Sequence, residues 1–235
     1  MLKLSGLKCE QATQVLTISD DNYQRISDLI FDTDPFIYPA LFGNEIIGKY
    51  NARLLLPAVF ESNSDNMFSK SNLFIAYLNE VVVGIILWYN GNLNWSASTL
   101  LNCAKKADVQ LVENNVATVQ REYVESCYFR NGAIQDAPLS IINVCVAREH
   151  RGLGIARYML NCFIGEHNNE NMELAVLADN SAAITLYSYY GFKISKKTKG
   201  FSLSLDKPEC LIMTRSKNIF NETININAGR CPNTP

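Results

Sequence analysis

Apolar residues recur along this chain at two spacings, every second position in short β-branched runs and every third or fourth in longer stretches, and the switches between them predict the order of elements. Gln14–Ser19 alternates and is predicted as a first strand, after which Asp20 and Asp21 open a helix whose apolar face is Tyr23, Ile26, Leu29 and Ile30. Asp32–Gly43 is aromatic and broken by Pro35 and Pro39, so it is predicted as a loop, with Phe36, Tyr38 and Phe42 either walling a binding site or covering the core. Within Asn44–Phe60, Ile47, Tyr50, Leu54 and Ala58 fall at near-helical spacing, in a helix that Pro57 kinks or ends. Past a polar loop at Ser62–Ser71, the runs Leu73–Leu78 and Val81–Tyr89 flank Asn79 and Glu80, the pattern of a hairpin with a short polar turn.

The middle of the chain changes period. Val109, Val112, Val116, Val119, Tyr123 and Cys127 share one helical face with Glu113, Gln120 and Glu122 off it, a long amphipathic helix preceded by a shorter one from about Trp95. Such a stripe is a packing face, for the sheet or for a second subunit. Ile141–Val146 then reads as a strand, and Ala156, Met159, Leu160, Phe163, Ile164 and His167 recur at helical spacing, so a helix begins near Gly152. A strand over 172–178 and a helix from Asn180, which Gly191 can close in a left-handed cap, come next. Lys193–Ser195 and Glu209–Thr214 are predicted as the last strands, joined by a polar segment, Lys196–Pro208, and the chain loses its periodicity from Arg215 onward.

The strand-to-helix turn at 147–156 has chemistry in it. A helix start leaves backbone N–H groups without intrahelical partners, and they share the positive end of the helix dipole, so a phosphate is favoured there. Gly152 and Gly154 let a bulky diphosphate approach the backbone, and Arg151 adds a charge at the rim. A Walker loop is excluded, because Ile155 and Ala156 stand where Lys and Ser or Thr are needed. A dinucleotide fingerprint is opposed by Arg157, which stands where close helix-to-strand packing wants glycine, and by the residues 148–151 between strand and first glycine.

Arg151, Gly154 and Ala156, preceded by the strand Val144–Val146, fit Arg-x-x-Gly-x-Ala and resemble the signature of the GNAT superfamily of N-acetyltransferases. The resemblance continues downstream, where Asn180 and Ala183 fit an Asn-x-x-Ala helix start and Leu186, Tyr187, Gly191 and Phe192 fit Leu-Tyr-x-x-x-Gly-Phe. It implies an α/β (α+β) fold with a central mixed, mostly antiparallel sheet, flanking helices and a helical insertion between the third and fourth strands. The domain would span 12–215, with the insertion at 90–137 and a tail at 216–235. The resemblance also implies acetyl-CoA as cosubstrate, with Arg151, Gly152, Leu153, Gly154, Ile155 and Ala156 at its pyrophosphate and the strand edge Val144, Cys145 and Val146 along its pantetheine.

In the family that strand carries a bulge and splays from its neighbour, leaving an N–H near Cys145 or Val146 to polarise the thioester carbonyl. Asn180 would sit beside the pantetheine or cap its helix, and Tyr187 would be the general acid, with Tyr189 and Tyr190 as substitutes. The loop 32–43 would border the acceptor. A base is not identified; Glu122, Glu125 and Asp136 lie near the strand in sequence. The implied activity is direct transfer of an acetyl group to a primary amine of a small molecule or peptide; the alternative is a non-enzymatic acyl-CoA-binding regulatory module. A covalent acetyl-cysteine at Cys145 is a different route, but a lone cysteine on an apolar strand, with no histidine identified to activate it, is more often an inert core residue.

Composition narrows the partners. The 235 residues are 48% hydrophobic with a formal net charge of −2, which suits one compact domain and argues against a nucleic-acid or anionic-membrane binder. The apolar run Val81–Tyr89 is too short to span a bilayer and Met1–Cys9 does not resemble a signal peptide, so a cytoplasmic protein is expected. An odd cysteine count of 7 without a Cys-x-x-Cys pair argues against zinc and against a disulfide framework. A homodimer is compatible with the apolar insertion.

Overall fold

The computed structural model describes residues 5–13, 16–34, 37–62, 68–90, 97–111, 115–119, 121, 139–199 and 209–217. The strands are β1 (Leu7–Gln11), β2 (Leu73–Leu78), β3 (Val81–Asn90), β4 (Leu139–Val146), β5 (Met172–Leu177), β6 (Lys193–Lys199) and β7 (Glu209–Arg215). They form one sheet in the order β1-β2-β3-β4-β5-β7-β6, antiparallel throughout except for the parallel pair β4 and β5. The helices are α1 (Asp20–Phe31), α2 (Ile37–Phe42), α3 (Glu45–Phe60), α4 (Ala97–Lys106), α5 (Ile155–Glu166) and α6 (Ser181–Tyr189). The mixed, mostly antiparallel sheet with flanking helices is the expected fold.

Each sheet face carries its own core. Leu73, Ile75 and Tyr77 of β2 face the layer of α1 to α4, whereas Phe74 and Ala76 face α5 and α6. Burial on both sides makes β2 a continuous apolar run instead of an alternating one. Between β2 and β3, Asn79 at φ 51° and Glu80 at φ 66° make the two-residue turn that matches the strand twist.

Local chemistry explains most boundaries. Ser19 caps α1, its hydroxyl accepting from the Asn22 N–H, and Asn44 caps α3 in the same way through the Ile47 N–H. Pro57 lies inside α3 without ending it. The first strand is β1, and residues 16–19 of the predicted strand carry none; β1 is half-buried at a sheet edge, so its pattern does not alternate. The segment predicted as a loop contains α2, because the Asp34 carboxylate accepts from the Ile37 N–H at 2.8 Å and Pro39 falls in the first turn, where its missing donor costs little. Tyr38 and Phe42 are buried in the core, which settles them as cover for the core, not as an open wall. α3 also turns its predicted apolar stripe outward: Ile47, Tyr50 and Leu54 are exposed and Gly48, Ala52, Leu55 and Leu56 are buried. β6 runs on to Lys199, into the segment predicted as a connection.

Between β3 and β4 lie α4 and a helical stretch at 115–119. α4 packs on α3, and Leu100, Val109, Val116 and Val119 join the core on that helical layer. Val109 itself is not helical; most of the predicted long helix, residues 218–235 of the predicted tail at 216–235, and Phe36 lie outside the described residues. Cys162 on α5 is disulfide-bonded, where the sequence argued against a disulfide framework; Cys9, Cys103 and Cys145 are free thiols. No helix among the described residues is long and apolar enough to cross a membrane, and no metal-ligating cluster is found among them.

Candidate active site

The turn after β4 leads into a helix start that no side chain caps. A single 3₁₀ turn at Arg148–His150 leads through Arg151 to Gly152 at φ 78° and Gly154 at φ 87°, backbone conformations that side chains with a Cβ rarely adopt. α5 begins at Ile155, three residues later than predicted, because Gly154 is its left-handed cap. The first intrahelical bond runs from the Tyr158 N–H to the Gly154 carbonyl at 3.0 Å, so the N–H groups of Ile155, Ala156 and Arg157 precede the ladder, and no side chain caps them. A Cβ built on either glycine meets nothing within 4 Å, so the space above the turn is open. Arg151 folds back onto the strand, its Nε donating to the Val146 carbonyl at 3.0 Å.

β4 and β5 pair only from Leu139 with Met172 to Ile141 with Leu174, after which they part. On its other side β4 stays paired with β3 as far as Val146, with a register shift in which Leu87 faces Asn143 and Trp88 faces Ile141. Ile142 is therefore the extra residue of a β-bulge. Beyond it the Ala147 N–H donates to the Val83 carbonyl at 2.9 Å, so the backbone of Ala147 faces β3. Strand alternation then turns the Cys145 amide toward β3 and the backbone groups of Val144 and Val146 into the gap toward β5. Of the two amides proposed as carbonyl-polarising donors, Val146 is the one that faces the gap.

α6 borders the same gap. Asn180 caps it, its side-chain oxygen accepting from the Ala183 N–H at 3.1 Å, which leaves the amide nitrogen of the side chain for other partners. Gly191 at φ 86° ends the segment after α6. Tyr187 is 8% exposed and packs edge-on to Phe192 with ring centroids 6.0 Å apart, and its hydroxyl takes no partner among the described residues. Burial, and then the neighbouring Cys145, push its phenol up to about 12, so it is a protonated donor at neutral pH. Tyr190 is tied up, its hydroxyl donating to the Arg157 carbonyl at 2.6 Å, and Tyr189 stands outside under the Arg157 guanidinium.

Cys145 faces the α1 to α4 layer. Burial pushes its thiol up to about 11 although the adjacent Arg151 guanidinium pulls it down, so it is held as an inert thiol and not as an activated nucleophile. Motif reading missed what surrounds it. The Tyr38 hydroxyl donates to the Asn143 side-chain oxygen at 2.9 Å, the Asn143 amide donates to the Thr33 hydroxyl at 2.5 Å, and Asp32 beside Thr33 pairs with Lys49 at 2.7 Å. The only sequence signal for this group was the aromatic, acidic character of the segment after α1. Glu122, Glu125 and Asp136, the carboxylates near the strand in sequence, lie outside the described residues.

The sheet with its parted β4 and β5 defines the class, a mixed α/β protein with a glycine turn and an uncapped helix start at the head of the gap. The model of the acetyltransferase (GNAT) domain family matches residues 69–194. That is more than half of the chain, and the protein belongs to this family. Among solved structures, one described as a histone acetyltransferase HPA2 and related acetyltransferase from Corynebacterium glutamicum is similar at TM-score 0.58 and 18% identity, over 92% of this chain and 99% of that one. An N-acetyltransferase from Staphylococcus aureus is similar at TM-score 0.53 and 15% identity, over 88% and 98% of the two chains. Naa50 from Arabidopsis thaliana, in complex with the bisubstrate analogue CoA-Ac-MVNAL, is similar at TM-score 0.50 and 17% identity, over 90% and 99%. At these identities the likeness is one of fold. No curated protein matches the sequence significantly.

Proposed function

We propose that the protein is an N-acetyltransferase that moves an acetyl group from acetyl-CoA to a primary amine of a small molecule or peptide, by direct attack in a ternary complex. The observation that carries this reading is the parting of β4 and β5 beyond Ile141 and Leu174, with the glycine turn at its head and a protonated Tyr187 near Cys145 at its side. That the Arabidopsis Naa50 structure holds a CoA-peptide bisubstrate analogue supports a site in which donor and acceptor meet directly.

Bound acetyl-CoA supplies an activated thioester; the rest falls to the chain. The N–H groups of Ile155 and Ala156 receive the pyrophosphate over Gly152, Leu153 and Gly154, with Arg151 lending charge from its place on Val146. Val144 and Val146 bond the pantetheine along the open strand edge, flanking Cys145, and the free side-chain nitrogen of Asn180 meets it from the start of α6. The Val146 N–H polarises the thioester carbonyl as charge builds on its oxygen. Tyr187 gives its proton to the departing sulfur.

The test is release of free CoA thiol over a panel of amines, by wild type and by Tyr187→Phe. General acid catalysis contributes about 10² to 10⁴ in rate, so the variant loses kcat by that order while its acetyl-CoA affinity stays within a few-fold. An acyl donor with a more acidic thiol recovers part of the loss. Binding without turnover in the wild type would sink the transferase reading in favour of a non-enzymatic acyl-CoA-binding module, and a large loss of CoA binding in the variant would make Tyr187 a packing residue.

A further inference from the structure

Exposed apolar side chains gather on one helix of this protein. Ile46, Ile47, Tyr50 and Leu54 of α3 are 85%, 55%, 63% and 42% exposed, and Pro57 and Ala58 continue the line toward its C-terminal end. At about 3.6 residues per turn they lie within roughly 120° of the helix circumference, along roughly 18 Å of its length. The opposite face, Gly48, Ala52, Leu55, Leu56 and Val59, is buried in the layer that α3 shares with α1, α2 and α4. A helix that is apolar on both faces is one that is covered on both.

Charge and shape indicate what covers the outer face. The cation beside it is cancelled within the chain, Arg53 donating to both oxygens of Asp28 at 2.7 and 2.6 Å, so a strongly charged partner gains little and a copy of the same face meets no uncompensated like charge. Bulk is unevenly spread, with two isoleucines at the N-terminal end and Pro57 and Ala58 at the other. Laid antiparallel on itself about a two-fold axis level with Ala52, the helix sets Ile46 against the partner's Ala58, Ile47 against the partner's Pro57, and Tyr50 against the partner's Leu54. Large then meets small at each end, whereas a parallel pairing sets isoleucine on isoleucine and leaves the small ends apart. At those exposures each copy offers roughly 500 Å² of apolar surface, about 1,000 Å² over the pair, the floor for a specific interface.

We infer that the outer face of α3 is the interface of a homodimer, an antiparallel pair of α3 helices around a two-fold axis. The small area makes the dimer reversible, with a dissociation constant on the order of micromolar. The inference stands apart from the transferase reading, and it puts the second subunit on α3 where the sequence pattern offered the segment between β3 and β4.

Sedimentation equilibrium on the full chain is expected to show a mass that climbs from one chain toward two with concentration. Tyr50→Glu sets a carboxylate against the partner's Leu54 and is expected to weaken association at least about tenfold, with the melting temperature kept because the side chain stands outside the core. Ile46→Cys combined with Ala58→Cys is expected, on oxidation, to give a covalent dimer whose mapped peptides join position 46 to position 58. Neither single variant crosslinks to its own copy, since equivalent positions lie about 18 Å apart along an antiparallel pair. A single-chain mass at every concentration would overturn the inference and leave the face to a different partner. A dimer that Tyr50→Glu leaves as strong as wild type would move the interface elsewhere and overturn it too. Self-crosslinking of the Ile46→Cys variant at position 46 would replace the antiparallel pairing with a parallel one.

Discussion

Gly154 combines a positive φ of 87° with open space where a Cβ would point, so a side chain there meets no protein atom and would occupy the space proposed for the pyrophosphate. Gly154→Val forces a branched residue into a left-handed conformation, at about 1–2 kcal/mol, and is expected to weaken CoA binding at least about tenfold. Calorimetry on the folded variant checks it, and unchanged affinity would remove the pyrophosphate from this turn. A second residue acts on stability. The Glu61 carboxylate accepts from the Tyr23 hydroxyl and from Lys70 at 3.0 Å, and the tyrosine bond first, then Lys70, hold its pKa below the ordinary value. A lowered folded value means a stabilisation complete above about pH 4.3, where the unfolded glutamate titrates, and lost as pH falls through the folded value. Glu61→Gln is therefore expected to melt below wild type at pH 7, with the gap closing in scans carried down to pH 3; a gap independent of pH would assign the loss to packing. The carboxylate is half exposed, so the effect is modest.

At the scale of elements, α1 and α3 approach through Gly48, where an added Cβ would stand 2.4 Å from the Gly43 carbonyl and 2.6 Å from the Phe31 ring. Gly48→Ala gains up to about 1 kcal/mol of helix propensity and loses about 1–3 kcal/mol to overpacking, and because the nearest atom is backbone the loss dominates. Urea unfolding should show lower stability with CoA binding intact. Elements fixed by neighbours in sequence were legible: the Asn79–Glu80 turn, the glycine turn, the Asn180 cap and the placement of Tyr187 in α6. The face of α3 was not, because apolar residues occur all round it, and only its partners decide that Leu55 and Leu56 go in while Ile47 and Tyr50 stay out. β1 was invisible because an edge strand needs no alternation. The clamp between Thr33 and Asn143 joins residues 110 apart in sequence, and no local pattern announces such a pair.

For the whole molecule, the described part of the segment between β3 and β4 packs into the core. Leu100, Val116 and Val119 are nearly fully buried, and the Asn115 side chain donates to the Ala40 carbonyl at 2.8 Å, tying this layer to α2. Replacing 92–133 with a short turn is expected to uncover the core over α3 and lower the melting temperature sharply. Wild-type stability with CoA binding retained would mark the segment as a removable addition. Its packing on α3 also means that α1, α2 and α3 share one core with it, so substitutions at Leu100 or Val116 should be felt there first.

The extra residue at Ile142 changes the parity of β4. Up to that point the odd-numbered side chains Leu139 and Ile141 belong to the α5 core, and beyond it the even-numbered Val144 and Val146 do, which leaves Asn143 and Cys145 for the opposite side. One residue thus works as a phase shifter that sets which half of the molecule each position serves. A strand that took Ile142 into regular register, with no bulge, would send Asn143 and Cys145 into the α5 core and turn the amide of Val146 away from the gap, whereas deleting Ile142 would leave every face as it is.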